Sequence, residues 1–155
     1  MTDSRRRFIR NAALLSAGWS MSSAMPGPLK TGFSKSNLRA DKIRIGAIGI
    51  NGMGWSDLNA MLKANPDTIC TAICDVDNSV LSKRSADLEK NFSMKPAAYG
   101  DYRKLLDDKN IDAVIIGTPD HWHCLQMVEA CQAGKHVYVE KPIANSIEEC
   151  RVIDR

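Results

Sequence analysis

Lys42–Gly54, KIRIGAIGINGMG, is an alternating apolar run that breaks into a glycine-rich turn and opens an amphipathic segment. It reads as a strand, a tight turn and a helix start. The strand, Ile43 to Ile50, ends where Gly49 can take a backbone conformation closed to residues with a Cβ, and Gly52 and Gly54 let the backbone and the next helix approach a ligand closely. Unpaired N–H groups at such a helix start face a phosphate. A dinucleotide fingerprint has its glycines in the order G-x-G-x-x-G after a strand, with an acidic residue about 20 positions later. The register Gly49, Asn51, Gly54 puts Asn at the middle position, with Gly52 and Met53 beside it. Asn tolerates left-handed backbone better than most residues, so the turn survives, and close approach to a pyrophosphate shifts to Gly52. The acid is Asp75, which closes a second apolar run, Thr68–Cys74.

Beyond the turn, helical and extended periods alternate. Gly52–Ala64 sets Trp55, Leu58, Met61 and Leu62 on one helical face and stops at Asn65-Pro66. Asn78–Phe92 turns Val80, Leu81, Leu88 and Phe92 inward, with Lys83, Arg84, Glu89 and Lys90 facing water. A short extended piece, Ala97–Tyr99, precedes a helix over Asp101–Lys109. Ile111–Gly117 is an apolar run typical of a strand covered on both faces. Trp122–Ala133 predicts a helix with Leu125, Val128 and Cys131 inward and Gly134 as its stop. His136–Glu140 predicts another buried strand, and Ser146-Ile147-Glu148-Glu149 carries the capping-box pattern of a last helix. Strands alternating with helices at this spacing predict an α/β fold, a doubly wound parallel sheet of the Rossmann kind.

The 155 residues suffice for one domain with a sizeable core. The net charge of +3 sits wholly in residues 1–24, where Arg5, Arg6, Arg7 and Arg10 outweigh Asp3, and the remaining 17 basic and 17 acidic side chains balance. A balanced body gives no electrostatic case for nucleic acid or an anionic membrane as partner. Ser4-Arg5-Arg6-Arg7-Phe8-Ile9-Arg10, the mildly apolar Ala12–Trp19 and the small residues Ser22-Ser23-Ala24 resemble a twin-arginine export signal over residues 1–24, implying a periplasmic destination. That apolar stretch is too short to span a bilayer. Residues 25–40, rich in Pro, Gly, Ser and Lys, read as a disordered leader to a domain over 41–155. The five cysteines make no disulfide framework: their number is odd, and alternation would put Cys70 and Cys74 on the same face of one strand.

In doubly wound sheets ligands sit beyond the carboxyl ends of the strands, where strand order reverses. Three segments qualify: the glycine turn, Thr118-Pro119-Asp120-His121-Trp122-His123, and Glu140-Lys141-Pro142. An Asp at the end of the second strand accepts bonds from a ribose 2′-OH, whereas the 2′-phosphate of NADP would meet the charges of Asp75 and Asp77. NAD is therefore the favoured cofactor over NADP, with Lys83 and Arg84 as the reservation. His121-x-His123 beside Cys124 lacks the spacing of a zinc site, so no metal is expected and a cofactor or substrate contact is the better reading for either histidine. His136 reads as structural. By spacing alone Lys141 is a solvated lysine after a strand.

The pieces IGINGMG, CDVD, IDAVIIGTPDHWHC and GKHVYVEKP resemble the N-terminal half of the Gfo/Idh/MocA oxidoreductases. These are dinucleotide-dependent enzymes of sugars, inositols and related polyols, with a Rossmann domain followed by an α/β substrate domain. The resemblance covers Lys42 to Arg155. It implies that Gly49–Gly54 holds the pyrophosphate, that Asp75 holds the adenosine ribose, and that Thr118 and Pro119 line the nicotinamide side. Glu140 would also approach the cofactor, and Lys141, in a partly dry cleft behind Pro142, would be the catalytic lysine. It further implies a sugar or polyol substrate, met in a substrate domain that these 155 residues lack, so the chain reads as a fragment inactive alone. Two other classes stay open: a NAD-dependent glycosidase, whose sequences lack the lysine of the EKP element, and a non-catalytic dinucleotide-binding module. The sequence leaves room for a homo-oligomer.

Overall fold

The structure, a computed structural model, describes residues 42–154. The export signal and the leader expected before them lie outside the described residues. Five strands, β1 (Ile43–Ile48), β2 (Thr68–Cys74), β3 (Ala97–Tyr99), β4 (Ala113–Ile116) and β5 (His136–Val139), form one parallel sheet in the order β3-β2-β1-β4-β5. The connections are α1 (Met53–Ala64), α2 (Asn78–Phe92), α3 (Tyr102–Leu106) and, after a short 3-10 turn at Asp120–Trp122, α4 (His123–Gln132). A last helix, α5 (Ile147–Ile153), follows β5. This is the doubly wound α/β fold expected from the sequence.

Helix ends follow the local chemistry. The Asp77 carboxylate accepts from Ser79 N–H at 2.7 Å and caps α2, Asp101 does the same for α3 through Arg103 N–H, and Ser146 caps α5 through Glu149 N–H. Past α4, Gly134 sits at φ 74°, the left-handed position that ends a helix without a Cβ penalty. Among the described residues no helix is long and apolar enough to cross a membrane.

Each face of the sheet buries its own cluster. Ile45, Ala47, Cys70, Ile73 and Ile115 meet Leu58 and Leu62 of α1 and Leu81 and Leu88 of α2. On the other face Ile48, Ala72, Cys74, Val114 and Ile116 meet Tyr102, Leu105 and Leu106 of α3 and Ala130 of α4. Cys70 and Cys74 thus point to opposite faces, against the alternation expected from sequence. The cause is a bulge: Ile45 pairs with Cys70 but Gly46 pairs with Ala72, so Thr71 is an extra residue that inverts the faces of β2 before it. Burial pushes both thiols up to about 12, leaving them as inert core groups.

Three further expectations are corrected. The inward residues of α4 are His123, Cys124, Gln126 and Ala130, while Leu125 and Cys131 are exposed and Val128 is half-buried. β5 is the edge of the sheet among the described residues, its side chains alternating between exposed and half-buried, and His136 is exposed. Arg84 does not face water: its guanidinium lies 4.4 Å from the centre of the Trp55 ring, pairs with Asp87 at 3.1 Å, and donates to the Ile50 carbonyl at 3.3 Å.

At the amino end of the sheet, Asp112 takes bonds from Arg44 Nε at 2.9 Å and Nη2 at 2.7 Å. This pair, four-fifths buried on each side, holds Asp112 below the usual carboxylate range. Asp112→Asn is therefore expected to lower stability by about 1.5–3 kcal/mol at neutral pH. Because the folded carboxyl titrates lower than the unfolded one, that contribution is present above the ordinary carboxylate range and is lost as pH falls through the lowered value. Denaturant titrations of both proteins should converge in acid; a constant difference would contradict the pairing.

Candidate functional site

The site is built where strand order reverses, between β1 and β4. After β1 the chain turns at Gly49, with φ 75°, and again at Gly52, with φ 85° and ψ −124°, a conformation open to glycine. A Cβ on residue 49 would lie 2.6 Å from the Thr118 amide nitrogen. A Cβ on Gly54 would strike the Gly49 carbonyl, and one on Gly117 would strike the Gly54 backbone. The turn is thus packed backbone to backbone against the end of β4. On its open side a Cβ at Gly52 would meet nothing within 4 Å. The cradle is closed behind and empty in front, where the first-turn N–H groups of α1 lack intrahelical partners.

Asp75 follows β2 and fixes the turn from the side. Its Oδ2 accepts from Ile50 N–H at 3.0 Å and its Oδ1 from Asp77 N–H at 3.1 Å. The Asp75 carboxylate is therefore oriented by backbone and borders an open cleft of about 830 Å³. Gly49, Asn51, Met53, Thr118, Pro119, Glu140 and Lys141 border the same cleft, so all three strand-end segments singled out in the sequence converge on it. Residues not singled out complete it: Tyr102 and Arg103 after β3, and Gln126 of α4. A polar residue, Gln126, one turn beyond His123 was the available signal for the last.

The two histidines part company. His121 is exposed on the 3-10 turn beside Asp120, 3.6 Å away, and does not border the cleft. His123 is 2% exposed, and its ring nitrogens are taken by backbone: Nδ1 lies 2.7 Å from the Pro142 carbonyl and Nε2 2.7 Å from the Thr118 carbonyl. His123 thus borders the cleft with both ring nitrogens engaged by backbone, whereas His121 stands outside it. Among the described residues no group of three His, Cys, Asp or Glu side chains could hold a metal ion.

Beyond β5, Glu140 accepts from the Tyr138 hydroxyl at 3.1 Å and from Lys141 N–H at 3.3 Å. Asp57, on α1, abuts Glu140; burial and the neighbouring carboxyl push Asp57 up, and its Oδ2 is buried without a hydrogen-bond partner. The Lys141 side chain is exposed along the cleft rather than held in a partly dry pocket, and the Lys141–Pro142 peptide is cis. Lys83 and Arg84 do not border the cleft, and Arg84 is engaged behind the turn. The reservation that they attract a 2′-phosphate therefore loses its support.

Residues 43–155 match the model of the oxidoreductase family with an NAD-binding Rossmann fold, Gfo/Idh/MocA. The chain belongs to this family. It is similar to the α-N-acetylgalactosaminidase of Shewanella oneidensis, 34% identical over 97% of this chain and 36% of the relative. A glycosyl hydrolase family 109 protein of Shewanella sp. strain W3-18-1 matches with the same figures. Among solved structures, apo scyllo-inositol dehydrogenase from Lactobacillus casei superposes with a TM-score of 0.65 and 26% identity, over 74% of this chain and 32% of that one. The WlbA dehydrogenase of Bordetella pertussis, solved with NADH and UDP-GlcNAcA, gives 0.62 and 27%, over 71% and 32%. The chain spans about a third of the length of the relatives it matches. It carries the NAD-binding domain of an oxidoreductase family.

NAD should raise the thermal midpoint of the protein more than NADP does; equal or stronger protection by NADP would contradict the placement of Asp75. Asp75→Ala, which removes an acceptor oriented by two amides, should weaken NAD binding about 10- to 100-fold, the worth of a hydrogen bond to a charged group.

Proposed function

We propose that the protein is a NAD-dependent oxidoreductase of a sugar or polyol, in which this domain holds the cofactor and supplies Lys141 as the acid–base group. The observation that carries the reading is the convergence of Gly49–Gly54, Asp75, Thr118-Pro119 and Glu140-Lys141 on one cleft at the switch point. The residues fit a dinucleotide: the glycine cradle is open at Gly52, and the Asp75 carboxylate is aimed by two amides. NAD, when bound, supplies a carbon that accepts or returns hydride.

The chain's own residues do the rest. Amides of the turn and the α1 start bind phosphate oxygens, and Asp75 accepts from a ribose hydroxyl while its charge, with that of Asp77, disfavours a 2′-phosphate. Glu140 is fixed beside the Lys141 backbone by the Tyr138 hydroxyl and the Lys141 amide. Lys141 takes or returns the proton of a substrate hydroxyl at Nζ. Its exposed side chain gains the dry setting such a step needs when substrate and further protein close over the cleft. Substrate recognition belongs to that closing part, and the sugar or inositol ligands of the structural neighbours support a polyhydroxylated substrate. Ser4–Arg10 supports export to the periplasm by the twin-arginine route.

A second reading, a glycosidase that uses NAD, is favoured by the names of the 34% identical relatives. Lys141 in the EKP element argues for net oxidation instead. Lys141→Ala should abolish turnover while leaving NAD affinity nearly intact, and retained turnover would remove Lys141 from the chemistry. With polyols and glycosides as substrates, net NADH should accumulate; glycoside cleavage without net NADH would establish the second reading. Changing Arg5 and Arg6 to Lys should block export, and unchanged export would contradict the signal.

A further inference from the structure

Two polar side chains, His123 and Gln126, point into the protein from one face of α4, where an ordinary helix would bury apolar groups. They are 2% and 3% exposed, and a buried polar group is costly unless it is hydrogen-bonded. Both are bonded to Thr118. Its hydroxyl donates to Gln126 Oε1 at 2.7 Å, and its carbonyl lies 2.7 Å from His123 Nε2. The other ring nitrogen, Nδ1, lies 2.7 Å from the Pro142 carbonyl, so one imidazole spans the segment after β4 and the segment after β5. A second link joins the same two segments. The Asn145 amide, oriented so that donors meet acceptors, donates to Asp120 Oδ2 at 3.2 Å and accepts from His121 N–H at 3.0 Å.

The chemistry of the span is asymmetric in one respect: both of its partners are backbone carbonyls, which accept and cannot donate. A neutral imidazole has one N–H, so it donates to one of them while its other nitrogen packs against the second. We propose that His123 is a positioning residue whose ring, set between the Thr118 and Pro142 carbonyls, ties the two strand-end segments together, so that Thr118-Pro119 and Glu140-Lys141-Pro142 move as one body beside the glycine turn. Lys141 is the residue next to the clamped carbonyl, and its place along the cleft follows from the clamp. The effect on turnover rests on the oxidoreductase reading proposed above; the place of the His123 ring between the two carbonyls does not.

Nitrogen-detected NMR of the imidazole in the 155-residue chain is the direct test. A His123 ring hydrogen should be protected from exchange with water and couple across a hydrogen bond to the Thr118 or Pro142 carbonyl, and a ring hydrogen in free exchange with water would overturn the proposal. In the intact protein, His123→Phe keeps bulk and removes both ring nitrogens. Turnover should fall about 100-fold, the size expected when a reacting group is displaced by about 1 Å, with NAD affinity retained. His123→Gln, which keeps an amide donor, should recover part of that loss. Unchanged turnover in His123→Phe, or an equal fall in turnover and NAD affinity, would overturn the positioning role. If His123→Phe does not fold, the nitrogen spectrum of the native chain still decides. If Lys141→Ala also retains turnover, the oxidoreductase reading fails while the clamp is judged on that spectrum.

Discussion

At Gly49, Gly54 and Gly117 backbone meets backbone with no side chain between, and the geometry of the site follows from that contact. A Cβ on Gly54 would collide with the Gly49 carbonyl, and one on Gly117 with the Gly54 backbone. The close approach brings the first turn of α1 against the end of β4, which sets Thr118 beside the glycine turn. Protein interiors are packed densely enough that even one methyl group here would force the helix away from the sheet. The glycine turn and the Thr118 side of the cleft are thus positioned by the same three residues.

Around that contact, the strand ends are tied together by polar side chains. Asp75 takes the Ile50 and Asp77 amides, Arg84 takes the Ile50 carbonyl from behind, and His123 joins the ends of β4 and β5. These bonds spend side chains that a sequence reading assigns either to solvent or to a ligand. Their shared consequence is a rim of fixed carbonyls and carboxylates around a cleft along which the Lys141 side chain remains exposed.

The strand–turn–helix at Lys42–Gly54, Asp75 after the second strand, and the segments at Thr118 and Glu140 were all legible in the sequence, because glycine turns and strand-end acids obey local rules. Three features were not. The bulge at Thr71 depends on how β2 registers against β1, which the pattern of TICTAIC does not contain. The buried face of α4 was misplaced because Leu125, Val128 and Cys131 are the more apolar stripe, whereas His123 and Gln126 are buried by partners far along the chain. Tyr102 and Arg103 join the cleft because β3 lies next to β2, a fact of topology rather than of local chemistry.

Family membership fixes the fold and the cofactor class, but the relatives divide between dehydrogenases and proteins named as glycosidases. The glycine cradle is the central claim. Amide chemical shifts recorded while NAD is added to the chain test it directly. The account expects the large shifts at Asn51, Gly52, Met53, Asp75 and Thr118, around one cleft. Shifts confined to other surfaces, or none at saturating NAD, would contradict it.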